Sequence, residues 1–454
     1  MRGEILELTV EKLVYPGRSL ARHNGRAVFL DYGLPGEKVK AEILRRRKGF
    51  FEGRLLEVLT PSADRISARC SHFGTCGGCA YQDFKYEKQL EEKEKLVRES
   101  LEKLGGFADP PVESIIPAPD IFFYRNKMEF SFADQNGQLV LGLHERGHFE
   151  KMFDVKACFL QSELSNQIVA FCRDYFPRSG LLGYNWHSHE GFLRFLVIRE
   201  GKNTREVMVA LVTSKSEVTL KAWAEDLAQK FPQIVSVLHL VNPTKAQVAT
   251  GEEEIVLWGQ PYIKEKIGKF NFFLSAKTFL QTNSRQTEKL YQTVLELTQL
   301  SGNEKVLDLY CGAGTISLFV SPYAKEVEGV EIVPEAIEMA EKNKKENSVE
   351  NVRFVLGEAR KIAKQYRLEN RRFDRIIVDP PRAGLHPKVI RDVLPLGAEK
   401  ITYASCNPTT FARDAKLFAE GGYQLKRVIP VDMYPHTFHV ELVGLLEKAD
   451  VALK

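Results

Sequence analysis

The chain has 454 residues, more than one hydrophobic core usually organises, so two to four domains are expected. Its 44% hydrophobic and 27% charged residues, with no run near the roughly 20 apolar residues of a membrane span, argue against a membrane protein. The net charge of +4 is carried entirely by the first 60 residues, which hold 12 Lys/Arg against 8 Asp/Glu. The N-terminus carries acidic residues early, alternates like a strand and lacks the apolar core of a secretory signal, which places the protein in the cytoplasm.

Residues 1–62 alternate apolar and polar side chains in short runs, such as Ile5-Leu6-Glu7-Leu8 and Ala27-Val28-Phe29-Leu30, broken at Pro16-Gly17, Gly33 and Pro35-Gly36. This predicts a small, OB-like barrel of about five strands. Arg45-Arg46-Arg47-Lys48-Gly49-Phe50-Phe51 sets four positive charges beside two rings, the chemistry that holds phosphates and stacks bases. A solvated charged loop is the plainer reading. Residues 84–104 predict an amphipathic connector helix with Leu90, Val97, Leu101 and Leu104 on its apolar side, closed by Gly105-Gly106.

From 63 to 258 strand runs such as Phe192–Ile198 and Val207–Val212, with a helix near 217–230, predict an α+β middle domain. From 259 to 454 the apolar runs Val306–Leu309, Val327–Val330, Val352–Leu356, Ile376–Val378 and Ile401–Ala404 alternate with helical stretches. That is the pattern of an α/β, Rossmann-like doubly wound sheet.

Val306-Leu-Asp-Leu-Tyr310-Cys-Gly312-Ala-Gly314-Thr315 runs from a buried strand through a glycine turn into a helix, where bare N–H groups suit a polar ligand. Glu331 ends the next strand and can accept hydrogen bonds from both hydroxyls of a ribose. Ser317 stands where a dinucleotide fingerprint has its third glycine, so S-adenosylmethionine is favoured over a nicotinamide or flavin dinucleotide. Asp379-Pro380-Pro381-Arg382 and Ser405-Cys406-Asn407-Pro408 each follow a strand at the carboxyl edge of that sheet, where such folds do chemistry. Cys406 is accessible there, although a lone cysteine is more often a small core residue. Cys70, Cys76 and Cys79 lie within ten residues, and Gly77-Gly78 between them lets the backbone wrap a metal or cluster.

Taken with Pro435-His-Thr-Phe-His-Val-Glu441, the Asp379 and Cys406 motifs in this order and spacing resemble the RNA uracil-5-methyltransferase family. Phe279-Leu280-Gln281 matches that family's upstream motif, and the first 60 residues look like its TRAM barrel, so the resemblance spans nearly the whole chain. It implies Cys406 as nucleophile and Glu441 as general base, with Gln281, Tyr310, Glu331 and Asp379 lining the S-adenosylmethionine and uracil pocket. Asp379 could instead face the uracil edge. It also implies Cys158 as a distant fourth ligand, making Cys70, Cys76, Cys79 and Cys158 the set for a [4Fe–4S] cluster, with four-cysteine zinc as the alternative. His72 reads as a bystander, and Cys172 and Cys311 as structural.

The expected partner is therefore RNA, with the target uridine single-stranded or flipped out of its helix. The TRAM barrel with a cysteine cluster resembles the branch acting on 23S ribosomal RNA; the T-loop of transfer RNA is the alternative. An iron–sulfur RNA-binding protein with an inactive methyltransferase domain is the alternative of another class, opposed by intact Cys406 and Glu441. An amino-group methyltransferase would want an aromatic residue where Arg382 stands. A monomer is the default expectation.

Overall fold

The computed structural model describes residues 3–135 and 137–449. Its first five strands, β1 (Ile5–Val14), β2 (Arg18–His23), β3 (Arg26–Leu30), β4 (Lys38–Arg46) and β5 (Phe50–Thr60), close into a barrel ordered β1-β2-β3-β5-β4. Period-two alternation drives the closure: Leu6, Leu8 and Val10 of β1 point inward while Ile5, Glu7 and Thr9 face solvent. Arg45, Arg46, Arg47 and Lys48 are exposed at the tip of the β4–β5 hairpin. Phe51 corrects the expected pair of stacking rings. It is buried in the barrel core with Val28 and Ile43, and Phe50 alone stays partly exposed, edge-on to Phe29 at 5.3 Å.

Helix α1 (Tyr86–Ser100) and a π-helical turn over Leu101–Gly105 occupy the expected connector and end at Gly106, in the left-handed region with φ 76°. The buried face differs from the apolar stripe read from the sequence. Gln89, Lys93, Val97 and Ser100 are buried, whereas Leu104 is 53% exposed. Val97 and Leu101 pack into the same core cluster as Phe411, Ala412 and Phe418, on one face of the C-terminal sheet.

The second sheet has seven strands in the order β12-β11-β10-β9-β6-β7-β8. They are β6 (Lys127–Gln135), β7 (Gln138–Glu145), β8 (His148–Asp154), β9 (Leu193–Glu200), β10 (Val207–Thr213), β11 (Ile234–Val241) and β12 (Glu253–Gly259). Helices α2 (Glu163–Tyr175) and α3 (Lys221–Lys230) cover one face through Ile168, Cys172, Trp223 and Leu227. The other face, through Phe195, Val197 and Ala210, shares a core with the hairpin β13 (Ile263–Ile267)–β14 (Phe270–Leu274) and with α4 (Ser284–Thr298). Covering on both sides explains why β9 and β10 are buried along their whole length.

The third sheet runs β17-β16-β15-β18-β19-β21-β20. In chain order it comprises β15 (Lys305–Leu309), α5 (Thr315–Val320), β16 (Glu326–Glu331), α6 (Pro334–Glu346), β17 (Val352–Leu356), α7 (Ala359–Leu368), β18 (Arg375–Val378), α8 (Pro387–Val393), β19 (Lys400–Ser405), α9 (Pro408–Glu420), β20 (Tyr423–Val431) and β21 (Glu441–Lys448). The first five strands are parallel, and β21 inserts antiparallel between β19 and β20. The strand order reverses between β15 and β18, which opens the ligand crevice of a doubly wound sheet there. No helix among the described residues is long and apolar enough to cross a membrane.

Candidate active site

The reacting groups are set by strand register. β19 and β21 pair antiparallel from Lys400↔Glu447 to Ser405↔Leu442, so Cys406 and Glu441, the next residue on each side, lie at the same end of the ladder. Cys406 also sits just before the N-cap of α9, where the Asn407 side chain accepts from Thr409 N–H at 3.1 Å and Pro408 opens the helix. Asn407 Nδ2 donates to the Arg382 carbonyl at 3.0 Å, which ties this turn to Asp379-Pro-Pro-Arg382.

The charges of Asp379 and Glu441 act on Cys406, and that of Asp379 acts on Glu441. Burial, then Asp379, pushes Glu441 up to about 8, while Arg382 opposes the shift. Burial alone raises Asp379 to about 7. Cys406 is raised to about 12, first by burial and then by the charges of Glu441 and Asp379. Gln281 joins them through Tyr434, whose hydroxyl donates to Gln281 Oε1 at 3.3 Å.

On the nucleotide side Tyr310 and Glu331 line a cavity of about 270 Å³, together with Ile332, Gly357 and His386. The Glu331 carboxylate accepts from Gly312 N–H at 3.1 Å and from Ile332 and Val333 N–H at 2.7 and 2.9 Å, which aims it into the β15–β16 crevice. Gly314, at φ 77°, has no room for a side chain: a Cβ would meet the Phe354 ring at 2.5 Å. Ser317, in place of a third glycine, donates to the buried Asp308 at 2.5 Å. Burial is the main cause that raises Asp308 to about 7, against the Ser317 hydrogen bond.

Cys70, Cys76, Cys79 and Cys158 line one cavity of about 560 Å³, walled also by Met128, Leu143 and Phe153 of the second sheet and by the loop that carries Gln281. Gly78 N–H points at Cys76 Sγ and Gln82 Nε2 at Cys79 Sγ, both at 3.3 Å, hydrogen bonds suited to a thiolate that binds metal. Burial, more than the neighbouring thiols, pushes Cys79 up to about 12. Among the described residues no three His, Cys, Asp or Glu side chains converge as they would on a single metal ion. His72 Nε2 accepts from Lys156 N–H at 3.1 Å, and Cys172 and Cys311 are buried.

The sequence reading missed Tyr434, Asp308 and the pairing of Arg382 with His439 Nδ1 at 3.0 Å. Tyr434 immediately precedes the Pro435–Glu441 motif, so extending that motif by one residue would have found it. The barrel also reaches the site: Tyr15 meets the Phe438 ring edge-on at 5.8 Å, and a Cβ at Gly17 would clash with that ring at 2.3 Å.

Residues 85–449 match the family model for tRNA (Uracil-5-)-methyltransferase, and residues 1–56 match the TRAM domain. The chain belongs to the RNA uracil-5-methyltransferase family. Relatives similar to it include an uncharacterized RNA methyltransferase of Halalkalibacterium halodurans, 39% identical over 98% of this chain and 97% of that one. Another, from Chlorobaculum tepidum, is 38% identical over 99% and 97%. Among solved structures, the Pyrococcus abyssi tRNA (uracil-54, C5)-methyltransferase in complex with S-adenosyl-L-homocysteine superposes with a TM-score of 0.78. It is 29% identical and covers 97% of this chain and 100% of its own. This family member uses S-adenosylmethionine to methylate carbon 5 of uracil in RNA.

Proposed function

We propose that this methyltransferase acts on a uridine of 23S ribosomal RNA through a covalent adduct to Cys406, with Glu441 as the general base. The observation that carries the reading is the β19–β21 pairing down to Ser405↔Leu442, which brings Cys406 and Glu441 to the same end of the ladder, where the charges of Glu441 and Asp379 act on the thiol. The Cys406 thiolate adds to carbon 6 of the uracil, and the electrons of the ring double bond move to the carbonyl as an enolate. Carbon 5 then takes the methyl group of S-adenosylmethionine, leaving S-adenosylhomocysteine. Glu441 removes the proton from carbon 5; the released pair restores the ring double bond and expels the thiolate. Gln281, Tyr310, Glu331 and Asp379 line the pocket for methyl donor and uracil. Tyr310 and Glu331 face the nucleoside crevice, and the field that Asp379 exerts on Cys406 and Glu441 supports a role for it at the uracil. Residues 1–62, 63–258 and 259–454 are the corresponding RNA-binding, cysteine-bearing and catalytic domains.

The cysteine cavity fits a [4Fe–4S] centre held by Cys70, Cys76, Cys79 and Cys158. Its donor set is four sulfurs around a space larger than one ion, with backbone and amide donors directed at two of them. Transfer RNA is the second reading, favoured by the full-length likeness to the Pyrococcus abyssi enzyme named for uracil-54 of tRNA.

One experiment separates them. Anaerobically prepared protein, labelled S-adenosylmethionine and unmodified total RNA are incubated, and ribosomal and transfer RNA are then fractionated. The expected product is labelled 5-methyluridine in large ribosomal RNA. The same nucleoside confined to transfer RNA replaces the leading reading with the second, and no label in either fraction overturns both.

A further inference from the structure

Glu441 opens β21 directly after the segment 432–440 that returns from β20, so the placement of this segment sets the placement of the base. At its centre His436 is a non-glycine residue in the left-handed region, φ 66°. Such a conformation is strained for a residue with a side chain and persists only where its surroundings over-determine it. Here they do. His436 N–H donates to Gln89 Oε1 at 2.9 Å, and its carbonyl accepts from Ala80 and Tyr81 N–H at 2.8 and 3.0 Å. The Phe122 ring stacks on its imidazole at 4.4 Å.

Gln89 is fully buried, and its amide makes no contact with solvent. Its Nε2 donates to the carbonyls of Tyr81 and Phe84, both at 2.8 Å, and lies 3.2 Å from His436 Nδ1. The same face of α1 supplies Tyr86 and Lys93, three positions before and four after. Tyr86 donates to Asp432 Oδ2 at 2.8 Å, and Lys93 to Asp432 Oδ1 at 2.6 Å and the Tyr434 carbonyl at 2.9 Å. A helix that only joined two domains would bury apolar side chains here, because buried polar groups cost free energy unless each is paired. These are paired, and apart from Ala118, whose N–H donates to the Tyr86 hydroxyl at 2.8 Å, each partner lies in the segment leading to Glu441 or in the chain that follows Cys79.

We propose that Gln89 is a positioning residue for the base: it locks the turn at His436 so that Glu441 meets the carbon 5 proton of the adduct. The inference rests on the reading of Glu441 as that base. Ala80 directly follows Cys79, and the Arg69 guanidinium beside Cys70 packs on the Phe122 ring at 5.1 Å and on Phe159, next to Cys158, at 4.7 Å. The clamp therefore also joins the cysteine-bearing chain to the base.

The test uses the full chain with S-adenosylmethionine and unmodified RNA, scoring turnover and the denaturant-stable protein–RNA adduct. Glu441→Gln is the reference and accumulates methylated adduct, because elimination stalls. Gln89→Met keeps the volume and removes the hydrogen bonds. It is expected to lower turnover about 10²-fold, the cost of an ångström-scale misplacement, while methylated adduct accumulates and the KM for S-adenosylmethionine holds. Phe122→Leu, which removes no hydrogen bond, is expected to give the same signature more weakly, and it decides alone if Gln89→Met does not fold. Adduct in Glu441→Gln but in neither of the other variants overturns the proposal, since lost stability lowers turnover without trapping the intermediate. No adduct in Glu441→Gln itself overturns the base assignment, and the proposal with it.

Discussion

A thiol held near 12 is almost entirely protonated at neutral pH, and only the thiolate attacks carbon 6. Burial is the first cause, but the next two, the charges of Glu441 and Asp379, can be offset. With Asp379 lining the methyl-donor pocket as proposed, the sulfonium of S-adenosylmethionine would bring a positive charge there, and α9 starts its N-terminal dipole next to Cys406. Glu441, near 8, is suited to the later step because a base with a pKa close to the operating pH couples availability with strength. If adduct is formed first and its decay to 5-methyluridine product is then followed, the rate is expected to rise about tenfold per pH unit below about 8 and level above it. A flat profile removes Glu441 from the step. The same burial has a cost in stability. Asp308, Asp379 and Glu441 all have folded-state values raised above those of an unfolded chain. Their contribution is complete below pH 4 and is lost as pH climbs through 7 to 8. The melting temperature of the ligand-free protein should fall between pH 5 and 8, and Asp308→Asn should reduce that fall; equal falls in both proteins would show that Asp308 is not among the responsible groups.

Elements decide what those residues can do, and α1 is the clearest instance. Its ion pair between Lys93 and Asp432 joins two side chains that are 2% and 0% exposed. Removing one member leaves a buried charge without its partner, which typically costs about 3–5 kcal/mol. Lys93→Met is therefore expected to lower the melting temperature clearly. Lys93→Met combined with Asp432→Asn is expected to recover part of the loss, and an unchanged loss in the double variant would locate the cost in packing rather than charge. None of this was legible in the sequence. Hydrophobic periodicity finds apolar stripes, so it put Leu104 on the packed face and passed over Gln89 and Lys93, whose burial depends on a segment more than 300 residues away. The C-terminal sheet was legible because its strands are covered on both faces and read as continuous apolar runs, with Cys406 and Asp379 marking strand ends. Phe51 was misread for a related reason: alternation says that one of two adjacent aromatic residues faces inward, but Phe50 and Phe51 fit either phase until β5 pairs with β3 through Phe51↔Val28.

At the scale of the whole molecule, the excess positive charge sits on the barrel, and the barrel touches the catalytic segment through Tyr15 and Phe438. In the proposed reading, RNA held by the barrel is thereby brought to the β19–β21 edge. Arg45, Arg46, Arg47 and Lys48 extend from the tip of the β4–β5 hairpin, with Arg47 3.5 Å from Glu52 and partly neutralised by it. Each phosphate contact to single-stranded RNA releases about 0.7 of a counterion, so a cluster of this size contributes about 2–3 to the slope of log affinity against log salt. Replacing all four with Gln should reduce the slope by that amount and weaken binding most at low salt. The same replacement should leave kcat nearly unchanged once RNA saturates the enzyme, because none of the four touches Cys406, Glu441 or the nucleoside crevice. An unchanged slope, measured by RNA binding across a salt series, would mean that the hairpin tip is solvated charge and that the grip on RNA lies elsewhere, at Arg125, Lys127 and Lys277 around the cysteine cavity. A lower kcat at saturating RNA would instead mean that the barrel orients the flipped uridine as well as concentrating it, which the contact of Gly17 with Phe438 makes sterically feasible.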